Sequence, residues 1–270
     1  MNDLSRLAIH TMTTKPWDLQ TTAEKYAAAG VPAVTIWRQW LEGQKLTEIR
    51  RLMDDHGLRV SAHCRGGFFP AIDAADRQAA IDDNLRCIEE AAEIGAPMVV
   101  LVCGAVPSQS LFDSRQQIAD GLAACIDQAA AANIKLAIEP LHPMYANDRS
   151  AINTLAQAND LCDQLASPWV GIAADVYHLW WDDQLEHEIV RAGDRIVGFH
   201  VCDWLTPTND LLLDRGLMGA GCIDIPKIRS WIEQSGFDGW IEVEIFSKTH
   251  WERDQDQYLE EIKDAYLNHV

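Results

Sequence analysis

Short runs rich in β-branched and apolar residues alternate with longer amphipathic segments along almost the whole chain. The runs that predict strands are Leu7 to His10, Ala33 to Trp37, Arg59 to His63, Met98 to Val102, Lys135 to Glu139, Val170 to Asp175, Ile196 to Val201 and Trp240 to Ile245. Between them the pattern predicts helices over Asp18 to Ala29, Lys45 to His56, Ala74 to Ile94, Ser114 to Ala132, Thr154 to Leu165, Ile225 to Ser235 and Trp251 to Asn268. In the third of these, Ile81, Leu85, Ile88 and Ala92 recur at helical spacing while Asp82, Asp83, Glu89 and Glu90 take the other side. That suits a helix packed on the outside of a sheet.

Gly30, Gly57, Gly95 and Gly236 each fall just after a helical segment and a few residues before the next strand, where a left-handed cap favours a residue without Cβ. A repeated αβ turn of this kind makes consecutive strands parallel. Eight such units close into a (β/α)8 barrel, so the fold class expected is α/β, a single TIM barrel. The open doubly wound alternative lacks its Gly-rich phosphate loop. With no composition break or linker, residues 1–270 read as one domain.

Charge narrows the partners. The chain has 22 Lys plus Arg against 41 Asp plus Glu, a formal net charge of -19, which disfavours a nucleic-acid-binding surface. No apolar run is long enough to span a bilayer and the N-terminus has no signal-like segment, so no membrane partner and a cytoplasmic location are expected. The seven cysteines are scattered singly, without a CxxC pair, and read as buried small side chains.

In such a barrel the residues that end strands carry the chemistry. Four of them, Glu139, Asp175, His200 and Glu244, can ligate a metal, and chain-distant strands would bring them to one rim. Three carboxylates held together beside an imidazole repel one another unless a divalent cation sits among them. The donor set suits Mn²⁺ or Mg²⁺, and tolerates Co²⁺ or Zn²⁺. Glu242 rivals Glu244 for the last position, because strand alternation puts both on one face. His178, three residues beyond Asp175, is placed to donate a hydrogen bond to a substrate oxygen, and Arg215 stands in a long loop that can bring a cation over the pocket. Trp37, Trp180, Trp181 and Trp204 follow strands on the same face, where indoles either stack on a sugar or form a subunit interface in a homo-oligomer. His63 and Arg65, after the third strand, read as pocket wall. No second phosphate-binding feature accompanies Arg65, which favours a neutral polyol.

The motifs Ile138-Glu139-Pro140, Asp175-Val176-Tyr177-His178, His200-Val201-Cys202-Asp203, Arg215 running into Gly219-Ala220-Gly221, and Gly239-Trp240-Ile241-Glu242-Val243-Glu244 together resemble the sugar phosphate isomerase/epimerase superfamily of xylose-isomerase-like barrels. That superfamily includes ketose 3-epimerases, hydroxypyruvate isomerase and inosose dehydratases. The resemblance implies that Glu139, Asp175, His200 and Glu244 are the metal ligands. It further implies that Glu139 and Glu244 also move protons, that His178 and Arg215 contact substrate oxygens, and that Glu244 rather than Glu242 is the ligand. Two positions depart from the pattern: the loop after Glu139 lacks a further acidic residue, and Ala220 stands where an acidic residue is common.

The expected activity is therefore that of a divalent-metal-dependent isomerase or epimerase, moving a proton on a ketose-like sugar or keto-polyol through a metal-stabilised enediolate. The same ligands would also serve a lyase or dehydratase acting on a keto-sugar, keto-inositol or 3-keto-glycoside. An endonuclease IV-like repair nuclease shares the barrel, but needs a basic surface and more histidines.

Overall fold

The computed structural model describes residues 3–270. Eight parallel strands close into a barrel in the cyclic order β1-β8-β7-β6-β5-β4-β3-β2: β1 (Leu7–His10), β2 (Ala33–Trp37), β3 (Arg59–Gly67), β4 (Met98–Val102), β5 (Lys135–Ile138), β6 (Val170–Asp175), β7 (Ile196–Val201) and β8 (Ile241–Val243). Neighbouring strands are consecutive in sequence, and β8 closes on β1 with Leu7 level with Ile241. This is a single (β/α)8 barrel.

Helices fall where the periodicity places them, and several begin at a polar cap. Asp18, Ser110 and Thr154 each accept a hydrogen bond from a backbone N–H in the first turn of the helix that follows. The four predicted turn glycines all have positive φ, between 69° at Gly57 and 102° at Gly236. The differences come from short elements, among them the helical turn Val176–Leu179. Leu185–Ala192 is a helix that the hydrophobic pattern leaves unassigned, because its buried apolar face is only Leu185, Ile189 and Ala192 in an otherwise charged stretch. The final helix starts at Gln255, capped by Asp254, after a separate turn of helix over Lys248–Trp251.

Apolar packing divides into layers. The larger cluster fills the space between strands and helices, with Ile9, Ile36, Leu101, Ile138 and Phe199 facing side chains such as Tyr26, Ile88 and Leu122. A smaller cluster, including Ala62, Met98, Val100, Ala137 and Ala173, plugs the barrel interior below the rim. The small residues there leave room above them for larger polar side chains. No helix among the described residues is long and apolar enough to cross a membrane.

β3 departs from simple alternation twice. Its pairing with β2 skips Ser61, and its pairing with β4 skips Arg65. Each skipped residue is a bulge, which re-aims a side chain relative to the alternating pattern. Both matter for the site.

Candidate metal centre and substrate pocket

Parallel pairing brings the four sequence-predicted ligands to one end of the barrel. Asp175 ends β6 level with His200 on β7, and His200 is level with Glu242 on β8. Glu139 and Glu244 stand just beyond β5 and β8, with their N–H groups donating to Leu101 O and Val201 O at 3.1 Å each. One ligand atom from each of Glu139, Asp175, His200 and Glu244 lies within 4.8 Å of all the others. Their relative exposures are 4%, 0%, 0% and 3%, so the cluster is buried and only its two glutamates keep any exposed surface.

The protein supplies little positive charge against these carboxylates. Arg215, itself buried, donates from Nη1 to Glu244 Oε2 at 2.6 Å and Asp175 Oδ2 at 3.1 Å. Its guanidinium lies 4.3 Å from the Tyr177 ring centroid and 4.9 Å from that of Phe246. Burial, with Glu244 and Glu139 close by, pushes the Asp175 carboxyl up to about 7 even though Arg215 opposes the shift. Burial disfavours the charged form of His200 too, yet its 3.0 Å hydrogen bond to Glu139 and the surrounding carboxylates raise it to about 10. Against the cost of burial, Arg215 and His10 hold Glu244 well below the usual carboxylate range. An acid that retains its proton near neutrality beside an imidazole that gains one marks a site short of positive charge. Hard oxygen donors with one imidazole fit a divalent cation, which would displace both protons.

Glu242 occupies a different level. Its Oε2 accepts hydrogen bonds from Thr35 at 2.5 Å and from Ser61, the bulge residue, at 2.9 Å. Its distance to His200 Nε2 is 3.9 Å. The carboxylate is thus a buried brace inside the barrel, whereas Glu244 reaches the cavity above. His10 joins the two levels, since its Nδ1 accepts from Trp37 Nε1 at 3.0 Å and lies 3.2 Å from Glu244 Oε1.

A cavity of about 360 Å³ opens over the cluster, with Glu139, Glu244, His178, Arg215, Trp37 and Arg65 in its wall. His178 lies on a short helix, Val176–Leu179, and is 3% exposed. Burial and the neighbouring Arg215 charge hold it well below the usual histidine range, so it is neutral, and its buried Nδ1 has no hydrogen-bond partner among the described residues.

His63 does not belong to this wall. It points outward between β2 and the helix Ala74–Ile94, 3.3 Å from Ile36 O and 3.1 Å from Glu90 Oε2. His63 and Arg65 share a face by simple alternation, and the bulge at Arg65 separates them. Trp180 and Trp204 also lie outside the cavity wall, where Trp204 stacks on Tyr177 with centroids 4.8 Å apart and packs against Trp180 at 5.6 Å. Trp181 is likewise absent from the wall and is 37% exposed. Trp251 lines the cavity instead, with Tyr145, Arg149, Lys15, Lys248 and Phe246. These residues sit in loops or in single helical turns too short to show a period, and only their closeness in sequence to the strand ends would have marked them.

Arg215 reaches the site on a long excursion between β7 and β8. The two-residue strands Asp203–Trp204 and Arg215–Gly216 pair antiparallel at its base. Asp203, buried, accepts backbone N–H groups from Trp204, Gly219, Gly221 and Ile223 at 2.9–3.0 Å. A side chain at Gly221 would place Cβ 2.1 Å from Trp204 O, so the glycine is what allows the loop to close around that carboxylate. At the tip, the hydroxyls of Tyr145 and Tyr177 donate to Leu211 O at 2.8 and 2.9 Å. Asp203→Ala leaves four loop N–H groups without their acceptor. It should cost roughly 3 kcal/mol of stability in urea denaturation and raise proteolytic cleavage within residues 205–222.

The sequence profile of the xylose isomerase-like TIM barrel family matches residues 23–266. L-ribulose-5-phosphate 3-epimerase of Salmonella paratyphi A is 26% identical over 216 residues, covering 78% of this chain and 72% of the relative. The crystal structure of protein SMc04130 from Sinorhizobium meliloti 1021 superimposes with a TM-score of 0.95 at 44% identity, covering 98% of both chains. The IolI protein, solved with a bound zinc atom, shares the fold with a TM-score of 0.85 at 21% identity over 97% of both chains.

Proposed function

The chain belongs to the xylose isomerase-like TIM barrel family, and from that premise we propose that it is a divalent-metal-dependent isomerase or epimerase of a ketose-like sugar, with residues 1–270 working as one barrel domain. The observation that carries this reading is that two members of a buried cluster fitted to a cation, Glu139 and Glu244, stand in one cavity wall with neutral His178. The likeness to an L-ribulose-5-phosphate 3-epimerase supports the same reaction class.

Glu139, Asp175, His200 and Glu244 would hold the cation. When bound it supplies Lewis acidity, which acidifies a C–H beside a carbonyl and offsets the charge that proton loss leaves on the substrate oxygens. Glu139 and Glu244 emerge from strands three places apart in the barrel and so approach a substrate between them from different sides. Either can take the carbon-bound proton while the other returns one. Arg215 and His10 keep Glu244 ionised, which suits it to act as the base. His178, with a free ring nitrogen, holds a substrate hydroxyl or carbonyl oxygen, and Arg215 fixes Glu244 and Asp175 in place. Trp37, Phe246 and Trp251 give the cavity apolar wall, which excludes water and receives the C–H face of a sugar.

Products identify the reaction. Manganese-loaded protein should convert at least one member of a panel of pentuloses, hexuloses and inososes into its epimer or aldose isomer, read by NMR. An alkene from a 3-keto-glycoside or inosose, with no epimer or isomer from any ketose, would replace this reading with an elimination.

A further inference from the structure

Arg65 and Arg149 are in no ion pair among the described residues, in a chain where acids outnumber bases by 41 to 22. Most other arginines are in ion pairs: Arg38 with Asp83 and Glu90, Arg191 and Arg195 with Asp163, Arg253 with Glu261. Arg65 and Arg149 form neither an ion pair nor a side-chain hydrogen bond with any described residue, and both line the cavity. Nη1 of Arg65 is buried without a partner. A guanidinium withdrawn from water with its donors unused is costly unless something supplies acceptors.

The surrounding structure fixes both groups. The bulge in β3 turns Arg65 out of alternation, and its guanidinium lies 4.5 Å from the Phe68 ring centroid and 5.9 Å from that of Trp37. Arg149 lies over Tyr145 at 5.4 Å, and its carbonyl accepts from Gly104 N at 2.9 Å. A Cβ at Gly104 would come within 2.8 Å of Phe68 Cα, so this glycine allows the segment bearing Arg65 to approach the one bearing Arg149. Burial chiefly, and the like charge on Arg149 in addition, pull the Arg65 pKa down from its usual value, against the longer-range attraction of Glu139 and Glu244. Two cations held together by aromatic faces and backbone, with donors free, are arranged for an oxyanion.

We propose that the substrate carries an oxyanionic substituent, a phosphate ester or a carboxylate, and that Arg65 and Arg149 bind it while the metal cluster holds its reacting end. Exposed Lys15, in no ion pair among the described residues and lying over Trp251 at 4.4 Å, adds positive potential beside them. This inference rests on the isomerase or epimerase reading of the cavity. It revises the neutral polyol that Arg65 alone suggests, because Arg149, ten residues beyond Glu139, carries no sequence signal of its own.

The test is calorimetric binding to the manganese-loaded protein at low salt of a pentulose and a hexulose, each free, as its terminal phosphate and as its terminal carboxylate. One anionic form should bind at least about tenfold tighter than the neutral sugar. Whether phosphate or carboxylate shows that advantage identifies the group. The preference should shrink with added salt and in both Arg65→Gln and Arg149→Gln, with Arg65→Lys retaining part of it. Equal binding of neutral and anionic forms would overturn the inference, as would a preference unchanged in either glutamine variant, since the anion would then sit on the metal alone. Arg149, half-buried, tests the point even where the Arg65 variants fold poorly. An anion preference without any proton exchange would defeat the isomerase reading and leave this inference standing. Turnover of neutral ketoses without a preference would do the reverse.

Discussion

Glu139→Gln and Glu244→Gln should each lower the exchange of a substrate's carbon-bound hydrogen with solvent by roughly a thousandfold, because each change removes a proton carrier and weakens the hold on the cation. Circular dichroism and denaturation should show a folded barrel in both cases. Glutamine preserves shape, and the buried cluster contains more negative charge than Arg215 balances. Glu242→Gln is the informative comparison. Glu242 is bound by Thr35 and Ser61 one level below the cavity, so its loss should cost about 1–3 kcal/mol of stability while most of the exchange remains. An active Glu244→Gln with an inactive Glu242→Gln would reverse the assignment of ligand and brace.

The second large effect is at Arg215. Its Nη1 lies 2.6 Å from Glu244 Oε2 and 3.1 Å from Asp175 Oδ2, both buried. Arg215→Met removes the cation that offsets these acids in the metal-free protein, and should cost about 3–5 kcal/mol there, measured by urea denaturation in chelator. Added Mn²⁺ should recover much of the loss, because the ion supplies the missing charge. The dependence on pH follows from the shifts already described. Asp175, raised by burial to about 7, and His200, raised to about 10 by Glu139 and its neighbours against the opposing effect of burial, both bind protons more tightly folded than unfolded. Below about pH 6.5 His178, held low by burial and Arg215, opposes Asp175, so the metal-free protein should lose stability chiefly as pH rises from about 6.5 towards 10. Glu244, held low, acts in the opposite direction only below its ordinary value of 4.5. A variant as stable as wild type in chelator at neutral pH would show that Arg215 does not balance the cluster.

The barrel was legible because each level of the sequence gives the same answer. Apolar strands, amphipathic helices and Gly-ended turns repeat at nearly constant spacing, and a parallel barrel buries all of them. The four metal-ligand candidates were legible for the same reason, since each ends or follows an apolar strand at a predictable level. Residues set by irregular geometry were not. The bulge at Arg65 breaks the alternation that groups it with His63, and it is visible only in the register of β3 against β4. Tyr145, Arg149, Lys248 and Trp251 reach the cavity from loops and single helical turns whose course depends on contacts made elsewhere, such as Gly104 N with Arg149 O. Periodicity left Glu242 and Glu244 equivalent because they share a face; what separates them is height along the barrel axis, where hydroxyls from β2 and β3 meet only the lower one.

Deuterium incorporation tests the central claim most directly. Manganese-loaded protein is incubated in D₂O with the ketose panel, anionic members included, and each substrate is recovered for NMR. The account predicts deuterium at a carbon beside the carbonyl, abolished by chelator and restored by Mn²⁺. A metal-replete protein that binds a ketose in the cavity yet exchanges no carbon-bound hydrogen would contradict it.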